Sequence, residues 1–362
     1  MREKPPLNRR RATPTPGIKK YGNKAPWSGN AFAQLSGLEQ QQLQQLSSHS
    51  LAQKTWSAYN TAERLLKTCC REKNIAFVLP LSEESLVRFI LWLSFERKVS
   101  QSTISCYLAG IRQLHIQHGL HSPDTRSAMI KMLLRGTANH ESTANPGSTQ
   151  DSRAPITKES LTLLKHRISL LAHSVINKRM LWSACTLLFF GAFRGSELLC
   201  ERIDTFDPRF TLCSGDIALC QNKLTGKTGL RVVVKTPKEE KSGRDIHVTV
   251  CRTSSESLCP VTAWEKWQAY NPLSEAGQPV FRWEDGAPLT VNQLNKLLRA
   301  QLGANFSSHS FRIGAASAMG QLGFNDQDIQ EIGRWRSSAY NSYVRLGRSR
   351  RLLVAEKFSK FF

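Results

Sequence analysis

A polar stretch over residues 136–155 constrains the fold of this sequence more than any other feature. Its residues, GTANHESTANPGSTQDSRAP, are rich in Ser, Thr, Asn and Gly and show no hydrophobic period, which is typical of an exposed connection between domains. With 362 residues and 40% hydrophobic content, the chain is long enough to bury a core on each side of this stretch. The sequence therefore predicts two domains, joined by a linker over 137–155.

The segment 48–136 predicts a helical domain, because its apolar residues recur at helical spacing and no strand pattern interrupts them. Four helices are expected. Ser82 is the expected N-cap of the second helix, because Glu83 and Glu84 follow it, and Ser100 or Ser102 is expected to cap the third. The fourth is expected to end near residue 136.

The segment 156–350 predicts a second domain that mixes helices with a small sheet. Two β-rich runs, over 230–236 and 245–250, flank a predicted hairpin turn at 238–243. Helical patterns cover the rest, at about 157–172, 177–192, 260–269, 291–302, 310–322 and 326–333. The predicted fold class is mainly α with a small antiparallel sheet (α+β), followed by a C-terminal tail at 351–362.

The charge of the chain indicates a polyanionic partner. There are 50 Lys and Arg against 28 Asp and Glu, which gives a net charge of +22 and a pI of about 9.9; nucleic acid is the expected partner. Residues 1–47 predict a basic, proline-rich tail without fixed structure, apart from a short helix at about 39–45. Its clusters Arg9–Arg11 and Lys19–Lys20 indicate a nuclear-import signal, a phosphate-binding arm or simply a solvated tail.

The sequence also predicts where the protein is found. The first residues, MREKPPLNRRR, do not form the apolar core of a secretory signal, and the longest apolar runs are far shorter than a bilayer requires. We therefore expect an intracellular protein without a membrane partner. Its nine cysteines are odd in number and lack the short spacing of zinc sites, so neither a disulfide framework nor a bound metal is expected.

Phosphodiester exchange without a metal needs cations on the non-bridging oxygens, a nucleophile and an acid for the leaving oxygen. The motif GAFRGSE over 191–197 ends an apolar helix, so Arg194 can bind a phosphate and Glu197 can orient it. His309 and Arg312 are spaced i, i+3 on one face of a helix that Ser308 can cap. Each motif alone also fits an ordinary solvated helix end.

Taken in order, Arg194 with Glu197, a hairpin lysine, His309-x-x-Arg312, a Trp and a Tyr match the arrangement of the tyrosine recombinase family. The stretch HSFRIGAASAMGQLGFNDQDIQEIGRWRSSAYNSYVRL resembles the recombinases of eukaryotic mobile elements, the DIRS/Ngaro-type retrotransposons and the Cryptons. The resemblance covers about residues 50–350. It implies a helical core-binding (SAM-like) domain at 48–136 and a catalytic domain at 156–350, which together form a C-shaped clamp on DNA.

The resemblance also assigns roles to residues. Arg194 and Arg312 would clamp the scissile phosphate, with Glu197 supporting Arg194, and His309 would bind a non-bridging oxygen and assist proton transfer. Trp335 takes the position of a His or Trp whose ring N–H donates to the phosphate. Core packing alone is the alternative role for Trp335, because Trp also buries well.

Two assignments have rivals. Tyr343 is the expected nucleophile because it lies eight positions after Trp335 and is followed by Val-Arg, although Tyr340 lies on the same predicted helix. Lys235, at the end of a strand and followed by Thr, is the expected general acid. Lys238 and Lys241 are its rivals, and a solvated or backbone-contacting lysine is the structural alternative.

The function expected from the resemblance is site-specific recombination by a mobile-element enzyme that forms a 3′-phosphotyrosyl intermediate. Its partners would be double-stranded DNA and three further copies of the chain, a homotetramer when synapsed, in the nucleus. No cofactor, metal or small-molecule substrate is expected. A domesticated, non-catalytic DNA-binding protein and a type IB topoisomerase-like enzyme are the alternatives, which covalent capture of DNA and strand exchange between duplexes distinguish.

Overall fold

The structure is a computed structural model, which describes residues 34–144, 153–221, 226–235, 245–270, 277–335 and Tyr340. The chain divides into two compact units, at 1–148 and 149–362. Both are mainly helical, and the second also contains one three-stranded antiparallel sheet. The predicted fold class is confirmed.

The described part of the first unit contains five helices: α1 (Gly37–His49), α2 (Gln53–Glu72), α3 (Glu83–Leu91, continued by a π-helical turn over Trp92–Glu96), α4 (Gln101–Gln117) and α5 (Ala128–Ala144). Ser82 caps α3 as predicted, its hydroxyl accepting from the Ser85 N–H at 3.2 Å. Ser100, not Ser102, lies at the N-cap of α4.

The core of this unit forms where α2 and α4 pack most closely. A Cβ at Gly110 in α4 would lie 3.0 Å from the Tyr59 Cα of α2, so this contact requires a residue without a side chain. Around it lie fully buried apolar side chains, including Leu66, Phe89 and Ile111. Each such side chain stabilises the fold by roughly 1.5–3 kcal/mol relative to exposure.

A histidine is buried in the same core. The His115 Nε2 atom accepts from the Leu81 N–H at 2.9 Å, and its Nδ1 atom lies 2.8 Å from the Ile111 carbonyl oxygen. Because Nε2 accepts, the proton of the neutral ring is on Nδ1, which donates to that carbonyl. Burial lowers the pKa of His115 below its ordinary value.

The predicted end of the fourth helix near Gly136 is wrong, because α5 continues to Ala144. A glycine costs about 1 kcal/mol relative to alanine inside a helix, so the sequence favours an end there. Tertiary contacts beyond the glycine offset this cost. Glu141 accepts from a main-chain N–H at the start of α4 at 2.6 Å, and the His140 ring lies 5.5 Å from the Phe95 ring.

Two predicted boundaries therefore change. The predicted linker over 137–155 begins too early, because 137–144 is helical. The predicted tail over 1–47 ends too late, because the short helix predicted at about 39–45 is present as α1 and runs from Gly37 to His49. Ser36 and Glu39 form a capping box there, which satisfies main-chain N–H groups locally and lets α1 form although it buries none of its residues.

In its described part, the second unit has seven α-helices and three strands. The helices are α6 (Lys158–Ser169), α7 (Val175–Phe190), α8 (Gly195–Leu198), α9 (Pro260–Gln268), α10 (Val291–Leu302), α11 (Ser308–Leu322) and α12 (Asp326–Gly333). The strands are β1 (Ile217–Gln221), β2 (Thr228–Val234) and β3 (Ile246–Cys251). Apart from the four-residue α8, each helix lies where the sequence pattern predicts one.

The sheet has the order β1-β2-β3, with both pairs antiparallel. The two predicted runs correspond to β2 and β3, whereas β1 was not predicted. Only the first of its five residues is buried, so β1 lacks the apolar alternation that identifies a half-buried strand. The predicted turn at 238–243 lies outside the described residues.

The segment that enters the second unit fixes the position of α11. Main-chain N–H groups of Ala154 and Ile156 donate to the carbonyls of Asn305 and Ser310, at 2.9 and 3.0 Å. A Cβ at Gly314 of α11 would lie 2.0 Å from the Ile156 carbonyl oxygen. The entering segment therefore lies directly on α11.

Candidate active site

A tight turn between α7 and α8 holds Arg194. Ala192 in this turn has a φ of 45°, a left-handed conformation that costs a non-glycine residue roughly 1–2 kcal/mol. At Gly191, a Cβ would lie 2.1 Å from the Phe193 ring. The turn thus brings the chain sharply out of the buried helix α7, and Arg194 follows it as the N-cap of α8.

The beginnings of α8 and α11 lie against each other. A Cβ at Gly195 would lie 2.8 Å from the Ser308 Oγ atom. His309 follows in the first turn of α11 and is partly exposed, so Arg194 and His309 extend from adjacent helix ends. Main-chain N–H groups at a helix N-terminus favour an anion.

Arg312 lies one turn further along α11 and is only 1% exposed. Its Nη1 atom donates to the Ala192 carbonyl in the α7–α8 turn, and its Nη2 atom donates to the Gly333 carbonyl at the end of α12. Three segments that are distant in sequence are thereby connected by one guanidinium group. The carbonyls compensate part of the cost of burying its charge.

Trp335 packs on this arginine. The Arg312 Cζ atom lies 4.2 Å from the centroid of the Trp335 ring, a cation–π contact. Trp335 is 7% exposed and belongs to a small buried cluster that also contains Ala192, Met319 and Tyr340. The predicted site role and the alternative of core packing are both compatible with this position.

Glu197 is the acidic centre of the site. Its Oε1 atom accepts from Arg194 Nη1 at 2.9 Å, and its Oε2 atom accepts from the Arg194 N–H at 2.9 Å. Burial by itself raises the pKa of Glu197, but the positive charges of Arg334, Arg194 and Arg312, together with the main-chain hydrogen bond, outweigh burial and hold it below its ordinary value. Glu197 is therefore a carboxylate at neutral pH.

Sequence reasoning missed Arg334, the second arginine on this carboxylate. Its Nη2 atom lies 2.7 Å from Glu197 Oε2, and both side chains are nearly inaccessible, at 8% and 6% exposed. In the sequence, Arg334 follows the end of a predicted helix, where a basic residue ordinarily interacts with solvent and the helix dipole. Its partner is 137 residues away, so no local pattern could reveal the pair.

Of the two candidate nucleophiles, Tyr340 lies among the described residues. Tyr340 is 2% exposed and its ring centroid lies 5.9 Å from that of Trp335. Burial and a hydrogen bond with Asp326 raise the pKa of Tyr340 above its ordinary value. Tyr343 lies outside the described residues, so its assignment stays a prediction.

Lys235 follows β2 and is held by the segment over 208–216. Its Nζ atom lies 2.5 Å from Asp216 Oδ2 and donates to the carbonyls of Pro208 and Thr211, at 2.7 and 3.4 Å. These contacts match the backbone-contacting alternative, and the general-acid role of Lys235 stays a prediction. Lys238 and Lys241 lie outside the described residues.

Over the described residues, no group of three or more His, Cys, Asp and Glu is arranged to hold a metal ion. Within the same part of the chain, no helix combines the length and apolar character that crossing a bilayer would require. All nine cysteines are free thiols.

Several solved structures share the fold of this chain. No family model matches the sequence, and no curated protein is similar to it. A post-cleavage complex of the site-specific recombinase XerH with palindromic difH substrate matches with a TM-score of 0.57 and 14% identity, over 91% of this chain and 87% of that one.

Two integrases match about as well. The Tn1549 transposon integrase in complex with transposon right-end DNA has a TM-score of 0.53 and 14% identity, over 86% of this chain and 95% of that one. A lambda integrase dimer bound to a COC′ core site has a TM-score of 0.53 and 14% identity, over 83% and 91%. At this identity the likeness shows the fold alone, and that fold is the one of tyrosine recombinases.

Proposed function

We propose that this chain is a site-specific tyrosine recombinase, which cuts and rejoins double-stranded DNA through a 3′-phosphotyrosyl bond at Tyr343. One observation carries the proposal: Arg194, Arg312 and Trp335 lie close to the α7–α8 turn, in a protein with a recombinase fold. The net charge of +22 supports DNA as the partner.

The arginines would act on the scissile phosphate. A guanidinium has five N–H donors in a planar fork, so an arginine that already bonds carbonyls can also bind a phosphate oxygen. Arg194, Arg312 and His309 would stabilise the charge that develops on the non-bridging oxygens, and the Trp335 ring N–H would donate to the same phosphate. Because these donors are fixed by the fold, they need little reorganisation during the reaction.

Tyr343 and Lys235 would complete the reaction. The Tyr343 oxygen attacks phosphorus as its hydroxyl proton passes to His309, forming the 3′-phosphotyrosyl bond, while the bond to the 5′ oxygen breaks and Lys235 protonates that oxygen. Lys235 must first exchange its ion pair with Asp216 for a contact with DNA. Rejoining reverses these steps with a 5′-hydroxyl from a second strand. These protein groups provide the charge stabilisation and the proton, without a cofactor or a metal ion.

The wider setting is part of the proposal. We place the enzyme in a eukaryotic mobile element of the DIRS/Ngaro or Crypton type and in the nucleus, because of the resemblance of residues 309–346 and the basic clusters before residue 30. Synapsis of two cleaved duplexes would require a homotetramer, with the two domains of each copy clamping the DNA.

A nicked suicide substrate tests the function. The full chain is incubated with duplexes from the DNA that flanks its coding sequence, each nicked just 3′ of the candidate cleavage site and labelled at the 5′ end of the cleaved strand. A recombinase gives a labelled, denaturant-resistant protein–DNA adduct and, with two intact duplexes, strand exchange. DNA binding without an adduct indicates the non-catalytic alternative, and an adduct without exchange indicates the topoisomerase-like one.

A further inference from the structure

Arg334 occupies a position that the backbone would more easily give to glycine. It terminates α12 in the left-handed conformation, with φ 56° and ψ 43°. Its N–H and that of Trp335 return to the carbonyls of Glu331 and Gln330, at 3.1 and 2.9 Å, a helix ending at which glycine is the usual residue. The side chain of Arg334 must therefore offset the strain of this left-handed backbone.

That side chain holds the α7–α8 turn. Its Nη1 atom donates to the Gly191 carbonyl at 3.0 Å, its Nη2 atom donates to the Ala192 carbonyl at 3.3 Å, and its Cζ atom lies 4.9 Å from the Phe193 ring centroid. The Ala192 carbonyl also accepts from Arg312. Two buried arginines thus fix the turn that positions Arg194.

Arg334 also fixes the acid on which Arg194 depends. Glu197 divides its two carboxylate oxygens between the side chains of Arg194 and Arg334. The charged groups that act on this carboxylate come from α8, from α11 and from the end of α12: Arg194, Arg312 and Arg334. If the Arg334 side chain is removed, the buried Glu197 carboxylate loses the positive charge that lies nearest to it. This loss favours the protonated form of Glu197.

We propose that Arg334 is a positioning residue: it holds Glu197 charged and in place, and through Glu197 it directs the Arg194 guanidinium toward the phosphate. This inference rests on the proposed function, and it assigns to Arg334 no contact with DNA. Loss of the Arg334–Glu197 ion pair would slow the cleavage step through Glu197 and leave DNA affinity unchanged.

The test compares Arg334→Met with Arg252→Met in single-turnover cleavage of the suicide substrate at saturating DNA. Arg252 pairs with Glu265 in the same unit but lies outside the site, and its side chain is 39% exposed. Met keeps the length of the stem and, like Arg, has a Cβ, so the backbone cost stays unchanged. We expect the cleavage rate of Arg334→Met to be at least about tenfold lower than that of the wild type, and the rate of Arg252→Met to equal that of the wild type.

Three further readouts separate positioning from a merely structural role. The loss in Arg334→Met should be larger at about pH 6 than at about pH 9, by up to about tenfold for each unit by which the Glu197 pKa of the variant exceeds the lower pH. Arg334→Lys, which keeps the charge but not the fork, should restore part of the rate. In a Glu197→Gln background, Arg334→Met should add little further loss.

The outcomes are distinguishable. Two results would overturn the positioning role while the proposed function stands, provided that the wild type forms adduct. Either Arg334→Met cleaves as fast as the wild type, or its cleavage rate falls by the same factor at every pH and in both the wild-type and the Glu197→Gln backgrounds. If the wild type forms no adduct, the proposed function fails. Urea unfolding then tests whether Arg334 and Glu197 interact. Non-additive effects of Arg334→Met and Glu197→Gln on the free energy of unfolding support the interaction, and additive effects overturn it. Should Arg334→Met not fold, Arg334→Lys is measured in its place.

Discussion

Gly314→Ala should destabilise the second unit, because the helix that holds His309 and Arg312 lies directly against the entering segment. The new Cβ would lie 2.0 Å from the Ile156 carbonyl oxygen and 2.8 Å from its carbonyl carbon. Both are main-chain atoms, so they cannot rotate away as a flexible side chain could. Either α11 or the entering segment must move.

The size of the effect follows from three contributions. Forcing an extra carbon into a packed interior costs roughly 1–3 kcal/mol. Displacing Ile156 breaks the hydrogen bond from its N–H to the Ser310 carbonyl, which is worth about 1 kcal/mol. Alanine regains about 1 kcal/mol because it favours helix more than glycine does. The expected loss in the free energy of unfolding is therefore about 1–3 kcal/mol.

Gly136→Ala is the matched control, because it is the same substitution inside another helix. Nothing lies within 4 Å of the Cβ position at Gly136, so only the gain in helix propensity remains. This variant should be more stable by about 0.4–1 kcal/mol.

Differential scanning calorimetry and urea unfolding measure both variants. The transition of the second unit should shift by about 2–4 °C for each kcal/mol, downward for Gly314→Ala. Equal stability of Gly314→Ala and wild type would refute the packing of the entering segment on α11. A destabilising Gly136→Ala would contradict the continuous α5.

Other predictions concern pH, salt and the general acid. The first unit should lose stability as pH falls below about 6.5, the unfolded pKa of histidine, because burial holds the folded pKa of His115 lower. Urea unfolding measured at a series of acidic pH values should show this loss in the wild type but not in His115→Gln. His121→Gln, which replaces an exposed histidine, should retain it. In titrations by fluorescence anisotropy, DNA affinity should fall with salt with a logarithmic slope of about 0.9 per neutralised phosphate, and a salt-independent affinity would contradict the role of the charge. Lys235→Ala should cleave slowly but recover on DNA with a 5′-phosphorothiolate leaving group, which departs without a proton; recovery of Lys238→Ala instead would move the general acid to that residue.

Much of the fold could be predicted because local signals dominate it. Apolar periodicity and side-chain caps such as Ser82 mark where helices begin, and β-branched residues mark β2. The failures occur where distant contacts override local preference. Contacts of His140 and Glu141 extend α5 beyond Gly136, against the propensity of glycine.

The candidate site divides in the same way. Motif spacing together with the family resemblance selected Arg194, Glu197, His309 and Arg312 as candidates, and they lie at α8 and near the beginning of α11. The Arg334–Glu197 pair could not be found in this way, because it depends on how three segments pack. Nor could the ion pair of Lys235 with Asp216, which depends on the loop before β1.

The attachment point of the DNA tests the central claim most directly. Wild type, Tyr343→Phe and Tyr340→Phe are incubated with the suicide substrate, and the peptide that retains a nucleotide is identified by mass spectrometry. We expect a 3′-phosphotyrosyl adduct on Tyr343 in the wild type and in Tyr340→Phe, and none in Tyr343→Phe, which should still bind DNA because only one hydroxyl is lost. An adduct that persists in Tyr343→Phe, or that maps to Tyr340, would contradict the proposed nucleophile.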